Sequence, residues 1–489
     1  MKILLINPEI RENSPPQVLP VGLAIIAAVM VQEGHEIHVY DKNALRVSIN
    51  QMLRELRKIK DVSVIGLGGL ITVYNNIKKI VPALREQFPH AKIVLGGGVT
   101  IEPDVIFKNM QVDYCVHAEG EITFLELCKA IEARQADFSQ ILGISYVENE
   151  KLVRTKPRPI ERDIDQFPMP AYDLFPTEIY MHNYGAMFRN MGLDAKRRAP
   201  LITSRGCPNQ CTFCWRMAGR TIRYRSLDLV LEEIAFLRSN YGVDSYGFMD
   251  ECFNANRKRS IEFATKLIER GFDAPWGASS RVDNFDEEFA RILRQSGCVF
   301  ANFGIESGSP KILKEMKKNA SPQQASIAVS NAGKAGISAG LNFVIGMPGE
   351  TKDTIKETIR WIRKNRKWKS ACGFHFATPY PGCELYYQPE VQKRIEEKYG
   401  SKDSFFSSLG NASEFRLNMT RLTDTQLIEL REKAKREAWA PKWFPSWSPD
   451  FLLPSYLFVE RLVRLIFQPS RWAEVVKRRL KILTTQMHI

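Results

Sequence analysis

Short runs of β-branched and leucine residues alternate from the start with stretches of helical period. Apolar runs at 2–7, 36–41, 62–67, 92–95 and 114–117 are separated by amphipathic segments at 21–34, 50–58, 74–88 and around 105. Short apolar runs read as buried strands, and strands separated by single helices pair in parallel through right-handed crossovers. Residues 1–142 are therefore expected to form a doubly wound α/β domain with a five-stranded parallel sheet. Next comes a hairpin, 143–154, turning at Asn149-Glu150. Residues 156–176 carry Pro157, Pro159, Pro168, Pro170 and Pro176, the composition of an extended linker, so 143–199 is read as hairpin and linker. Its last part has Tyr180, His182, Tyr184 and Met187 and is expected over the mouth of a site.

From 201 the strand-then-helix rhythm returns six times. Strands are expected near 201–204, 245–249, 276–279, 300–305, 339–345 and 373–377, with helices near 227–241, 257–270, 286–296, 322–335 and 352–364. Six units without a seventh and eighth make a partial (β/α)6 barrel over 200–385, with its chemistry at the carboxyl ends of the strands. Residues 386–489 are expected to be mainly helical, with segments at 391–399, 424–439 and 456–489 and a break at 443–449 rich in aromatic residues and proline.

Chemistry collects at the strand ends. In the first domain three tips on one edge are rich in glycine, at 66–72, 96–100 and 118–121, which permits positive φ and close approach of a large flat or extended ligand. In the second, the tips carry Asp250-Glu251, Ser280-Arg281, Glu306, Gly346 and the stretch 378–382. Adjacent carboxylates suit an ammonium group, an arginine suits a carboxylate, and glycines let a flat ring approach the backbone.

The first tip of the second domain holds Cys207, Cys211 and Cys214, three thiols with three residues and then two between them. A structural zinc site is closed by four ligands, and no fourth cysteine or histidine follows at ligand spacing. A cubane iron-sulfur cluster held by three thiolates would leave one iron open. With Phe213 before the third cysteine, the motif resembles the signature of the radical S-adenosylmethionine enzymes. The first domain resembles the Rossmann-like cobalamin-binding domain that precedes many of these cores, in Pro8, the run 19–24, Gly34-His35-Glu36, the glycine tips and Glu119-Gly120-Glu121.

The resemblance implies three cofactors. Cys207, Cys211 and Cys214 hold a 4Fe-4S cluster, and the open iron chelates S-adenosylmethionine, whose remaining parts are held by Asp250 or Glu251 and by Arg281, Glu306 and Gly346. Cobalamin falls to Asn43, Gly68, Gly69, Gly97, Gly98, Glu119 and Gly120. Here the chain departs from the longer-known cobalamin domains: Asn43 stands where their cobalt-binding histidine would be and Arg46 where their glycine would be, implying cobalamin without a histidine ligand. His35 and His38 read as surface or packing residues, and Cys115, Cys128, Cys252, Cys298 and Cys372 as core.

Composition narrows the setting. Nine cysteines, an odd number with three clustered, suit a reducing compartment and a metal site, and no apolar run reaches the length of a spanning helix, so the reading is cytoplasmic. The net charge of +14 gathers partly in Arg461, Arg464, Arg471, Lys477, Arg478, Arg479 and Lys481. On an amphipathic helix that pattern suits peripheral contact with a membrane surface as well as a helix docked on the barrel. Nucleic acid is not expected, since no recognition motif accompanies the charge.

The family's chemistry implies one-electron cleavage of S-adenosylmethionine to a 5'-deoxyadenosyl radical, with ferredoxin or flavodoxin as electron donor. Methylation of an unactivated carbon of a small-molecule or lipid-like intermediate is the first reading. A radical cyclase or rearrangement enzyme with the same cofactors is the second, as in the anaerobic cyclase of porphyrin biosynthesis. A non-catalytic cobalamin or iron-sulfur sensor is the third.

Overall fold

The computed structural model describes residues 1–11, 14–189 and 193–440. The basic stretch at 456–489 and the break at 443–449 lie outside the described residues.

The first sheet contains β1 (Lys2–Asn7), β2 (Glu36–Asp41), β3 (Val64–Gly68), β4 (Lys92–Gly96), β5 (Tyr114–Val116), β6 (Ile144–Glu148) and β7 (Lys151–Arg154), in the order β2-β1-β3-β4-β5-β6-β7. Strands β1 to β5 are parallel, as their helical crossovers require. On β1, Ile3 and Leu5 enter one core and Leu4 and Ile6 the other, so the strand is apolar without alternation because both faces are covered. The hairpin β6–β7 joins this sheet antiparallel to β5, and it therefore extends the first domain.

The second sheet runs β15 (Lys369–Phe376), β14 (Ser338–Ile345), β13 (Cys298–Glu306), β12 (Trp276–Ser280), β11 (Ser245–Phe248) and β8 (Arg198–Leu201), all parallel. This is the expected open six-stranded barrel. Its first strand ends before Thr203 and Ser204, which turn away onto the Asp250 carboxylate. A short ribbon of β9 (Ser204–Arg205) and β10 (Arg223–Tyr224) then pins together the two ends of the cysteine loop.

The helix Thr177–Arg189 is not a lid over the mouth. It lies against β8 and fills the inner face of the curved sheet. The Tyr184 hydroxyl sits where a Cβ on Gly247 would be, and Phe188 packs on Phe300 with ring centroids 5.5 Å apart. At the other end of the sheet, the helix Asp424–Trp439 packs on β15 and on the helix Lys352–Asn365, covering the open edge. The helix Lys402–Ser408 sits instead on the first domain, where Asp403 accepts hydrogen bonds from Tyr74 at 2.6 Å and Lys78 at 2.7 Å, and the helix Pro389–Tyr399 packs against it. No helix of the described residues is long and apolar enough to cross a membrane.

Candidate active site

The strand tips of the two sheets share one cavity of about 430 Å³, lined mostly by apolar surface. Gly66, Gly68, Gly69, Gly97 and Gly120 line it from the first domain, and Ser204, Arg205, Met217, Met249 and Glu251 from the barrel. A Cβ on Gly68 would stand 2.7 Å from the Gly96 carbonyl oxygen, and one on Gly97, at φ 78°, would stand 3.0 Å from that of Gly69. The tips of β3 and β4 therefore present bare backbone, a cradle that any side chain would fill. This fits a large flat cofactor such as cobalamin.

Two residues assigned to cobalamin from the sequence lie apart from this lining. Gly98 is covered by the Trp215 ring, which a Cβ there would overlap at 2.2 Å. Asn43 is buried, its Oδ1 accepting from the Ile10 N–H at 3.0 Å and its Nδ2 donating to the Tyr180 hydroxyl at 3.0 Å. Tyr180 also donates to Asp41, so the position that carries a cobalt ligand elsewhere is here tied to the helix Thr177–Arg189.

The cysteine loop is held by its backbone. Gly206, at φ 95°, lies so close to the Thr221 carbonyl oxygen that a Cβ would be 2.3 Å from it. The Cys207 N–H donates to Gly219, the Thr212 N–H to Met316, and the Arg216 guanidinium to the Asn209 carbonyl at 2.8 Å. Cys211 is buried, Cys207 half-buried and Cys214 exposed. The Cys252 thiol, read from sequence as core, is buried and donates to Asn254 Oδ1 at 3.8 Å, and its influence, with that of the Asn209 amide, holds the Cys207 thiol down at about 5. Among the described residues no three His, Cys, Asp or Glu side chains converge as ligands of a single ion. The loop offers three sulfur donors and no imidazole, which is the chemistry of an iron-sulfur cluster.

The remaining tips divide by their bonding. Asp250 is buried, with both oxygens taken by the N–H and hydroxyl groups of Thr203 and Ser204 at 2.6–3.1 Å. Glu251 is exposed into the shared cavity, its carboxyl pushed up by partial burial. Of the adjacent pair, only Glu251 is open to a ligand. Arg281 bonds Asp283 at 2.9 Å and the Lys318 carbonyl at 2.9 Å, and the Lys318 ammonium bonds Glu306 at 2.9 Å. Arg281, Glu306 and Lys318 thus form one corner, close enough to the cysteines for their charges to act on the Cys211 thiol, which burial raises. Lys318 was missed by the sequence reading; the Lys317-Lys318 pair just beyond the fourth barrel strand was its only signal. Gly346, at φ 100°, donates its N–H to the buried Glu350 carboxylate.

An ion network joins the domains across the cavity. Arg205, immediately before the cysteine loop, pairs with Glu119 at 2.9 Å and Glu121 at 2.8 Å, and Arg223 pairs with the second oxygen of Glu119. Glu119, assigned from sequence to cobalamin, lines the cavity with both oxygens on arginines of the barrel.

A glycine cradle lining the cavity, and a three-sulfur loop whose flanking residues Arg205 and Met217 line the same cavity, define a protein built for two cofactors. The radical SAM superfamily model matches residues 201–362 and the B12 binding domain model residues 10–128. An uncharacterized methyltransferase of Pyrococcus horikoshii is 34% identical over 395 residues, covering 79% of this chain and 82% of that protein. The anaerobic magnesium-protoporphyrin IX monomethyl ester cyclase of Rubrivivax gelatinosus is 26% identical, covering 82% and 72%. The solved radical S-adenosylmethionine methyltransferase TsrM of Kitasatospora setae, with cobalamin and a [4Fe-4S] cluster bound, superimposes with a TM-score of 0.66 at 20% identity over 81% of this chain and 78% of that one. The chain belongs to the cobalamin-binding radical S-adenosylmethionine family.

Proposed function

We propose that the protein is a cobalamin-dependent radical S-adenosylmethionine methyltransferase that methylates an unactivated carbon of a small molecule. The observation that carries this reading is the shared cavity, in which the bare tips of β3 and β4 face Met249 and Glu251 of the barrel. When bound, the cluster supplies single electrons to S-adenosylmethionine and cobalamin supplies methyl-carrier chemistry. The protein's part is placement. Cys207, Cys211 and Cys214 would hold the cluster, and Glu251, open to the shared cavity, would face the ammonium group of S-adenosylmethionine. Met217, Met249 and the glycine tips exclude water from the space between. A ferredoxin- or flavodoxin-type carrier is the electron donor in this reading.

The test is anaerobic reconstitution with iron, sulfide and cobalamin, followed by S-adenosylmethionine and dithionite. The expected product is 5'-deoxyadenosine, abolished by Cys211→Ala, and an acceptor that gains one methyl group. The cyclase relative supports a second reading with the same cofactors, which predicts a product without the added methyl. Wild-type protein that forms no 5'-deoxyadenosine would be a binding protein instead.

A further inference from the structure

Trp215 follows the third cysteine, and its ring lies between two glycines, one from each domain. A Cβ on Gly98, just beyond β4, would stand 2.2 Å from the six-membered ring of the indole. One on Gly382, beyond β15, would stand 2.6 Å from the five-membered ring. Neither glycine could carry a side chain without displacing the indole, which fills the gap between them. The tip it meets in the first domain belongs to the cobalamin cradle. Gly97, the residue before Gly98, lines the shared cavity, and the Val99 N–H, the residue after, donates to the Gly69 carbonyl at 3.0 Å, tying the contact to the β3 tip as well.

The other end of the contact is the cysteine loop. Thr212 is anchored to the barrel side, its N–H donating to the Met316 carbonyl at 3.0 Å and its carbonyl accepting from the Leu385 N–H at 2.8 Å. Beyond it the chain returns on itself: the exposed Cys214 donates its N–H to the Cys211 carbonyl at 3.3 Å. A thiolate bond at Cys214 would therefore fix the backbone one residue before the ring. Phe213 and Trp215 both pack, partly buried, on the core that the first domain shares with Cys383, Leu385 and Tyr386. A rigid side chain set between two cofactor-binding loops passes the order of one to the other. Whichever loop is fixed first leaves less conformational freedom to be lost at the second.

We infer that Trp215 is a positioning residue that couples the two cofactor sites. Assembly of the iron-sulfur cluster on Cys207, Cys211 and Cys214 tightens cobalamin in the glycine cradle, and cobalamin strengthens retention of the cluster by the same factor. The coupling rests on the two cofactors and not on the reaction, so it holds equally for methyl transfer and for ring formation.

The test is anaerobic equilibrium dialysis of hydroxocobalamin against the full chain, with and without prior reconstitution with iron and sulfide. Neither S-adenosylmethionine nor an acceptor is present, so failure of the methyltransferase reading leaves the measurement untouched. Wild-type protein should bind cobalamin about tenfold more tightly with the cluster than without it. In Trp215→Ala that ratio should fall to about one while iron content per chain is retained. Gly98→Ala, which pushes the ring away and leaves the cysteine loop itself unaltered, should do the same. Trp215→Phe lacks the ring atoms that lie over Gly98, so adding Gly98→Ala to it should change the ratio no further. Equal cobalamin affinity in the two iron states of wild-type protein overturns the proposal. So does a ratio kept in Trp215→Ala: with affinity lowered equally in both states the ring is packing alone, and with affinity unchanged the coupling belongs to Arg205 and Glu119.

Discussion

At the tip of β11 two neighbouring carboxylates differ because the chain turns between them. Asp250 points back under the cysteine loop, where four donors from Thr203 and Ser204 surround it, while Glu251 faces the cavity. Asp250→Asn puts an amide hydrogen-bond donor among donors, at a cost of about 1–3 kcal/mol, and loosens the start of the loop. The expected result is a lower iron content per chain after reconstitution. Glu251→Gln should retain iron and weaken S-adenosylmethionine binding instead, measured by equilibrium dialysis. Glu350 makes a second prediction. Burial raises its carboxyl from the ordinary 4.5 to about 7, against the pull of the Gly346 and Met347 N–H groups. A raised carboxyl means that the folded state holds the proton more tightly, so this contribution is full below pH 4.5 and is lost as pH rises through about 7. The difference amounts to about 3 kcal/mol, and Glu350→Gln should flatten the fall in denaturation midpoint between pH 5 and pH 7. The three cysteines were legible at this scale because spacing alone defines them. The choice between Asp250 and Glu251 was not, since it depends on a turn whose partner, Thr203, lies 47 residues away.

At the scale of elements, boundaries were legible where local chemistry sets them. The helix Leu227–Tyr241 falls where it was expected, and the structure shows why its ends are sharp: Ser226 caps its start and Gly242, in the left-handed region, ends it. The first barrel strand was placed too late, because Thr203 and Ser204 have strand-like residues around them but bond to Asp250. The helix Thr177–Arg189 was misplaced for a different reason. Tyr180, Tyr184 and Phe188 carry the same composition whether they cover a mouth or fill an interior, and only the space above Gly247 decides. The glycine tips are elements whose function lies in what they lack. Gly68→Ala should force β3 and β4 apart at the Gly96 carbonyl, a clash of the kind that costs about 1–3 kcal/mol. Cobalamin should bind about tenfold more weakly to that variant in a spectroscopic titration, with iron content unchanged.

Across the whole molecule, two of the links between the domains differ in physical character. Near the cavity, Arg205 and Arg223 converge on Glu119 and Glu121, and Arg223 is 2% exposed in its side chain. Farther out, Asp403 of the C-terminal segment clamps Lys78 across 325 residues of sequence, with side chains 24% and 31% exposed. Neither link could be read from the sequence, because each joins segments whose separation carries no local pattern. Solvent decides their relative worth. An exposed pair contributes about 1 kcal/mol or less, whereas removing one partner of a buried pair strands the other and costs about 3–5 kcal/mol. Glu119→Gln leaves Arg223 without its carboxylate and Arg205 with only Glu121, so it should lower the melting temperature clearly and release cobalamin, since Glu119 also lines the cavity. Asp403→Asn, on the outer clamp, should shift the melting temperature little and retain cobalamin. Calorimetry and cobalamin retention on the two variants separate these cases. A larger loss from Asp403→Asn would place the closure of the two domains at the C-terminal clamp rather than at the arginine before the cysteines.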